Sequence, residues 1–400
     1  MTTDTIASST SPLFEKAEPS AYFSDQDYHR FHERAARYDR ENRFFDEDLA
    51  DLRERGYLRA ALPADLGGGG LGFAALAREQ RRLAYWAPAT ALAVNMHLYW
   101  TGPATALTAS GGDDLGWLLR AVADGQVLAA GHGERGNDLG LDDSLTSAVR
   151  QPDGSYVVTG RKTFTSLSPV WDLLGIHARD DSNPAHPQIV HLFVDRTAAG
   201  VSTEKTWDAL GVRATASDDT VLDGVHVPAD RVVGISEIGE PYPPYVTGIL
   251  QWYIPLVSNV YFGIARRALD LAELDAQARK SIALPGQRHA DKPAVQRQLA
   301  QAEILLDAAW SLLERATDDL DAAADHSEWW TPRLFSVKEF TTTTARQVVD
   351  IATQVVGASS VSRSNELERL YRDVRTGSLH PPNTDAILDV IGKFAVRVLP

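Results

Sequence analysis

The hydrophobic period of this chain changes twice, and that limits the folds open to it. From residue 24 to about 123, apolar residues recur at three- and four-residue spacing, as in DYHRFHERAARYDREN and FFDEDLADLRERG. At about Gly125 the spacing becomes alternating, and after PYPPY (241–245) it returns to the helical period. A helical period does not suit a strand, so the chain divides into helical, β-rich and helical parts. The boundaries expected are a polar leader over 1–23, a helical domain over 24–124, a β domain over 125–236 and a helical bundle over 237–400, an α+β fold.

Local signals refine each part. PADLGGGGLG (63–72) reads as a loop, because four consecutive glycines do not hold a helix. ATALAVNMHLYWTGPATAL is apolar nearly all round and reads as a buried helix. In the β part, Pro-Asp-Gly at 152–154 lies between alternating segments, a hairpin signal. After PYPPY, long amphipathic segments predict a four-helix bundle, with Pro255 expected to kink or interrupt its first helix.

Composition excludes several functions. The net charge of −15 disfavours nucleic acid and anionic membranes as partners. No apolar run reaches the roughly 20 residues of a membrane span, and MTTDTIASSTSPLFEKAEPS does not read as a signal peptide. There is no cysteine, hence no disulfide, thiolate metal site or cysteine nucleophile, which fits a cytoplasmic protein. The eleven histidines make no ligand set with nearby acids, so no metal is expected. Gly67 to Gly70 lack the Lys-Ser/Thr of a phosphate loop.

GRKTFTSLSPVWDLLGIHAR (160–179), the Trp-x-x-Leu-Gly-x-Arg-Ala-Thr run from Trp207 to Thr215, the Val-x-Val-Pro exit at 225–228 and RLYRDVR from Arg369 stand in one order. Together they resemble the acyl-CoA dehydrogenase superfamily, over nearly the whole chain after the leader. The resemblance implies a flavin cofactor (FAD or FMN), a middle β-barrel between two helical domains, and a homotetramer or homodimer. By the same resemblance Phe164 lies against the flavin face and Ser166 near its reactive nitrogen, with Thr165 between them. Read without it, Phe164 is barrel core and Ser166 a strand-end hydroxyl. Glu134, Gly136 and Asp138 in the shortened GHGERGND loop (131–138) match part of a flavin-binding segment, with Gly133 in place of a threonine. Arg279 matches an arginine that reaches the flavin pyrophosphate across a subunit interface. Gln354 and Gly357 match a patch holding the adenosine end, but its later glycines are Ala358 and Ser360 here.

The dehydrogenase base is missing. Counted from Asp373, the position where most of the family carries a glutamate is Pro381. The alternative position, on the first helix of the bundle, is Tyr253, a poor base at an ordinary pKa of about 10. Positions that face the CoA thioester read Gln251 and Ile254. The oxygen-using members of the superfamily take reduced flavin from a partner reductase and need hydrogen-bond donors and a dry pocket instead. Dibenzothiophene monooxygenase is of this kind, and SLHPP (378–382) with Ser166 looks like its histidine–serine pair. His380, Ser166 and His97 are thus the catalytic candidates, with His380 expected to titrate near neutrality. Tyr99, Gln251, Trp252 and Tyr253 are candidates for an aromatic substrate pocket, and His132 is a further, weaker one. The expectation is a flavin-dependent monooxygenase or oxidase acting on a bulky or aromatic non-CoA substrate through a C4a-oxygen adduct. The alternatives are an acyl-CoA or acyl-carrier dehydrogenase with a non-standard base, for which Glu134, Asp138 and Glu366 are the nearby acids, and an inactive scaffold.

Overall fold

The computed structural model describes residues 19–112, 115–138 and 140–398. Five helices come first: α1 (Asp25–Glu41), α2 (Asp46–Glu54), α3 (Phe73–Trp86), α4 (Pro88–Ala109) and α5 (Gly116–Ala123). Ser24 and Asp27 form a capping box that starts α1. Most of the leader lies outside the described residues, but its end is packed: Phe23 is buried against Phe31 and Tyr57, and Ser20 donates to Glu79 at 2.5 Å. Two aromatic rings and a buried carboxylate draw this segment into the core, which a count of polar residues does not register. As expected from its apolar circumference, α4 is buried from Thr90 through Ala104.

Eight strands follow: β1 (Leu128–Gly131), β2 (Ser147–Arg150), β3 (Tyr156–Thr165), β4 (Leu173–Asp180), β5 (Gln188–Asp195), β6 (Val201–Glu204), β7 (Asp218–Val227) and β8 (Val232–Glu237). Their order is β6-β7-β3-β2-β4-β5-β8, with β1 parallel to β4. The Asp-Gly signal closes the β2–β3 hairpin, where Gly154 takes a φ of 84°. Where β3 pairs with β7 the register slips between Lys162 and Thr165. Phe164 and Leu167 beside that slip have φ of 57° and 66°, a left-handed conformation that side chains other than glycine rarely adopt.

The second helical part comprises α6 (Pro244–Ala278), α7 (Pro293–Asp321), α8 (Trp330–Val356), α9 (Glu366–Asp373) and α10 (Thr384–Ala395). Pro255 does not interrupt α6, which runs through it for 35 residues. One turn on, Asn259 donates its side-chain amide to the Pro255 carbonyl (2.9 Å), so the helix is buttressed on its polar side. α6 is the central helix, packed on α3, α4 and α8. Gly102 on α4 lets the Trp252 indole of α6 through; a Cβ there would lie 1.9 Å from the ring. Among the described residues, no helix is long and apolar enough to cross a membrane.

Four of the contacts that join the three parts bear on the site. Arg372 pairs with Asp39, Arg213 Nε donates to the Asp39 carbonyl, Asn42 donates to the Trp207 carbonyl, and the Val212 N–H donates to Asp373 (2.6 Å). Inside the sheet domain, Glu134 takes the Lys162 ammonium at 2.6 Å, both side chains being almost fully buried. It also accepts from the hydroxyls of Ser144 and Thr146 and the N–H groups of Leu145 and Thr146. This knot fastens the 134–146 loop to β3. Burial raises the Glu134 carboxyl, but Lys162 and these donors outweigh it and hold it down at about 2. Lys162→Met should therefore lower the unfolding free energy by about 3–5 kcal/mol, since it leaves a buried carboxylate without its counter-ion. A urea midpoint unchanged from the parent would contradict this account of the loop.

Candidate functional site

Phe164 and Ser166 lie on the register slip at the end of β3. Phe164 is 69% exposed, unusual for an aromatic on a strand, and stands edge-on to Trp207 at 6.2 Å. Ser166 is buried, and its hydroxyl meets Ser217 at 2.8 Å, which meets Thr215 at 2.8 Å. The turn carrying Thr215 and Ser217 also holds Leu167 and Ser168 through backbone bonds, and has left-handed residues at Val212 and Ala216. Strained backbone around an exposed ring and a hydroxyl chain is the kind of feature that a packed core does not need.

The same turn reaches the C-terminal helices. Gly211 lies against the backbone of Arg372 and Asp373, and the Val212 N–H bonds the Asp373 carboxylate. Three residues on, Thr376 donates to the Asp373 carbonyl and meets the Tyr261 hydroxyl at 2.7 Å, which meets His380 Nε2 at 2.6 Å. Lys338, fully buried, donates to the Gly377 carbonyl (3.2 Å). His380 therefore does not titrate near neutrality as expected. Burial, and then the Lys338 ammonium, push its pKa down to about 3, so the imidazole is neutral at pH 7. Sequence reasoning missed Tyr261, Thr376 and Lys338, which lie on three separate elements; only the fold unites them.

The remaining candidates divide. His97 is not placed to act on a substrate: it is fully buried, Nε2 bonds the Leu58 carbonyl (2.7 Å) and Nδ1 accepts from the Leu128 N–H (3.0 Å). Both nitrogens are thus consumed in tying α4 to β1. Burial lowers its pKa to about 4. Glu134 likewise has no free oxygen for a cofactor. Thr165 points into the sheet, where it accepts from Thr220 at 3.2 Å, because side chains alternate along β3 and Phe164 takes the open face. Trp252 is packing against Gly102 and Phe73. Tyr99 and Tyr253 do come together, edge-to-face at 5.2 Å, with burial raising both phenols. That makes Tyr253 a worse base than its ordinary pKa implies. Gln251 is partly buried one residue before Trp252.

Arg279, Gln354 and Gly357 gather at another corner. The Arg279 guanidinium caps α8 through the Val355 and Val356 carbonyls, both at 3.0 Å, and its buried Nε has no protein partner. Gly357 has a φ of 78° with open space where a Cβ would stand. Among the described residues, no hydrogen bond, ion pair or ring contact joins this corner to Phe164 and Ser166. Among the described residues there is also no group of metal-ligating side chains.

Two helical bodies around a sheet, with an exposed aromatic and a hydroxyl chain at a strained strand end, define an acyl-CoA dehydrogenase-like architecture. The family models agree: the acyl-CoA dehydrogenase N-terminal, middle and C-terminal domains match residues 28–114, 133–225 and 256–383. The chain is 32% identical over 361 residues to the Bacillus subtilis protein YdbM, provisionally named an acyl-CoA dehydrogenase, covering 90% of this chain and 91% of that one. It is 29% identical over 356 residues to the amino sugar nitrososynthase DnmZ of Streptomyces peucetius (86% and 85% covered). It is 30% identical over 289 residues to a dibenzothiophene monooxygenase of Rhodococcus qingshengii (67% of each). Among solved structures, KijD3 in complex with FMN and a dTDP-linked amino sugar has a TM-score of 0.81 at 26% identity, covering 94% of this chain and 92% of that one. TdsC of Paenibacillus sp. A11-2, with FMN and indole, shares the fold at a TM-score of 0.80 and 22% identity (94% and 96%). The chain belongs to the acyl-CoA dehydrogenase family, and by that membership is a flavin-dependent oxidoreductase.

In a histidine-labelled sample the His380 ring resonances should stay flat from pH 8 to pH 5, with His380→Asn providing the assignment. A titration centred near 6.5 would contradict the half-buried, Tyr261-held imidazole.

Proposed function

We propose that this protein is an oxygen-using flavin monooxygenase or oxidase acting on a non-thioester substrate. One observation carries the reading. Next to Pro381, the position at which the resemblance expects a carboxylate base, this chain holds a neutral imidazole bonded to Tyr261, and two of the three acids that could replace the base are committed elsewhere. Glu134 is locked to Lys162, and Glu366 to Arg267 at 2.7 Å with His32 also bonded to it. Asp138 is exposed on the loop that follows Glu134.

The residues present fit a flavin. Phe164 offers an apolar face, Ser166 a hydroxyl, and Gly357 with the unpartnered Arg279 Nε a close approach for a phosphate or ribose. Since the resemblance brings that arginine to the flavin across a subunit interface, the site in this reading is completed by a second copy. Exposed apolar side chains on the C-terminal helices, Ile304, Phe340, Val361 and Leu388 among them, suit such an assembly. The bound flavin supplies electron transfer and the activation of oxygen, and a reductase supplies its electrons. The chain's own residues do the rest: Phe164 positions the ring, Ser166 and His380 offer hydrogen bonds at its reactive edge, and Tyr99 and Tyr253 keep that edge dry.

A second reading is favoured by the identity to YdbM: oxidation of an acyl thioester. Ser166→Ala and His380→Ala separate the two. Each should reduce oxygen-dependent product formation by about 10²–10³-fold with FMN affinity changed far less. Turnover of acyl-CoA in the absence of oxygen, unaffected by either substitution, would favour the dehydrogenase. Arg279→Ala should weaken flavin binding by about tenfold or more, read by quenching of flavin fluorescence. Unchanged affinity would remove Arg279 from the site.

A further inference from the structure

The hydrogens around His380 can be placed one by one. Thr376 stands in the turn from Val374 to Leu379, and its hydroxyl donates to the Asp373 carbonyl at 2.8 Å. A hydroxyl carries one hydrogen, so Thr376 accepts from Tyr261, 2.7 Å away. The Tyr261 hydroxyl, its own hydrogen spent on Thr376, has only lone pairs for His380 Nε2 at 2.6 Å. Two lone pairs do not bond each other, so Nε2 carries a hydrogen and donates it to Tyr261. Burial and the Lys338 ammonium keep the ring neutral, and a neutral imidazole has one ring hydrogen. Nδ1 is therefore bare.

This relay is built into the packing. Tyr261 is fully buried on α6. Its ring lies against Gly377, where a Cβ would come within 2.9 Å of it, so a glycine lets the turn close on the ring. Lys338 of α8 donates to the carbonyl of the same glycine. Asp373, whose carbonyl starts the relay, is held through its carboxylate by the Val212 N–H. At the far end His380 is half-buried, and among the described residues its Nδ1 meets no donor. One nitrogen is spent inside the fold and the other is left for a ligand.

We infer that Thr376 and Tyr261 are positioning residues that hold the His380 hydrogen on Nε2, so that the bond His380 offers in the flavin site is one it accepts at Nδ1. This deepens the flavin-site reading and rests on it. It also divides the labour of the proposed pair. His380 has no hydrogen to give at its open nitrogen, which leaves Ser166 as the hydroxyl able to donate.

Nitrogen-15 histidine spectra of the full-length, flavin-free protein at pH 7 test the relay, with His380→Asn for assignment. The parent should show the Nε2–H tautomer. An Nδ1–H tautomer, a mixture of the two or a cationic ring would overturn the relay without reference to flavin. Thr376→Val leaves the Tyr261 hydrogen with Nε2 as its partner, so the tautomer should switch to Nδ1–H; an unchanged tautomer would remove Thr376 and Tyr261 as its cause. Thr376→Ser keeps the hydroxyl and should behave as the parent. The consequence for the site is read in the reoxidation of bound reduced FMN by oxygen. Thr376→Val should speed the slow phase about tenfold, as expected for one hydrogen bond reversed, and Thr376→Ser should not. A switched tautomer with reoxidation unchanged would overturn the assignment of Nδ1 to the site. A parent that binds no FMN, or shows no slow phase, would count against the flavin reading itself, while the tautomer result would stand apart from it.

Discussion

The hydrogen bond from the Val212 N–H to Asp373 is the contact on which the site depends. Asp373 is buried, and burial raises its carboxyl to about 6 against the pull of Arg369 and of this bond. A carboxylate is kept there because it fixes a turn. Through Thr215 and Ser217 that turn sets the Ser166 hydroxyl, and through Thr376 and Tyr261 the same aspartate's segment sets His380. Middle and C-terminal domains are thereby held together beside Gly211, where Arg372 also donates to the Leu210 carbonyl, and the two proposed catalytic side chains hang from the two sides of that seam.

A second theme is neutrality. His97, His132, His177, His191 and His380 all have pKa values lowered by burial. Carbonyls or hydroxyls fix the hydrogen positions of His97, His177 and His380. Such a site suits chemistry that needs oriented dipoles in a dry space. It suits poorly the removal of a proton by a charged base, and Glu134 and Glu366 are held in ion pairs with Lys162 and Arg267.

Periodicity made the three-part architecture legible, because burial of one face imposes its period on a helix or a strand whatever the partner. The Asp-Gly hairpin and the buried α4 were legible for the same local reason. Of the proposed site, only the motif positions Phe164, Ser166 and His380 could be read from the sequence. Single side chains were not. His97 and His132 look alike in the sequence, yet one spends both nitrogens on backbone and the other meets the His177 ring, a difference set by what each ring meets across the fold. Glu134 carries an acidic motif position, but Lys162, Ser144 and Thr146 close around it from strand and loop. Pro255 reads as a break, and burial of α6 on three neighbouring helices overrides that local preference.

The most direct measurement is of oxygen. The protein loaded with reduced FMN under anaerobic conditions is mixed with oxygenated buffer in a stopped-flow spectrometer, alone and with Ser166→Ala and His380→Ala. The account predicts reoxidation in two resolved phases, the second slowed relative to free reduced FMN in the parent protein and fast in both variants. A single phase, the same in parent and variants, would contradict an oxygen-handling site built on Ser166 and His380.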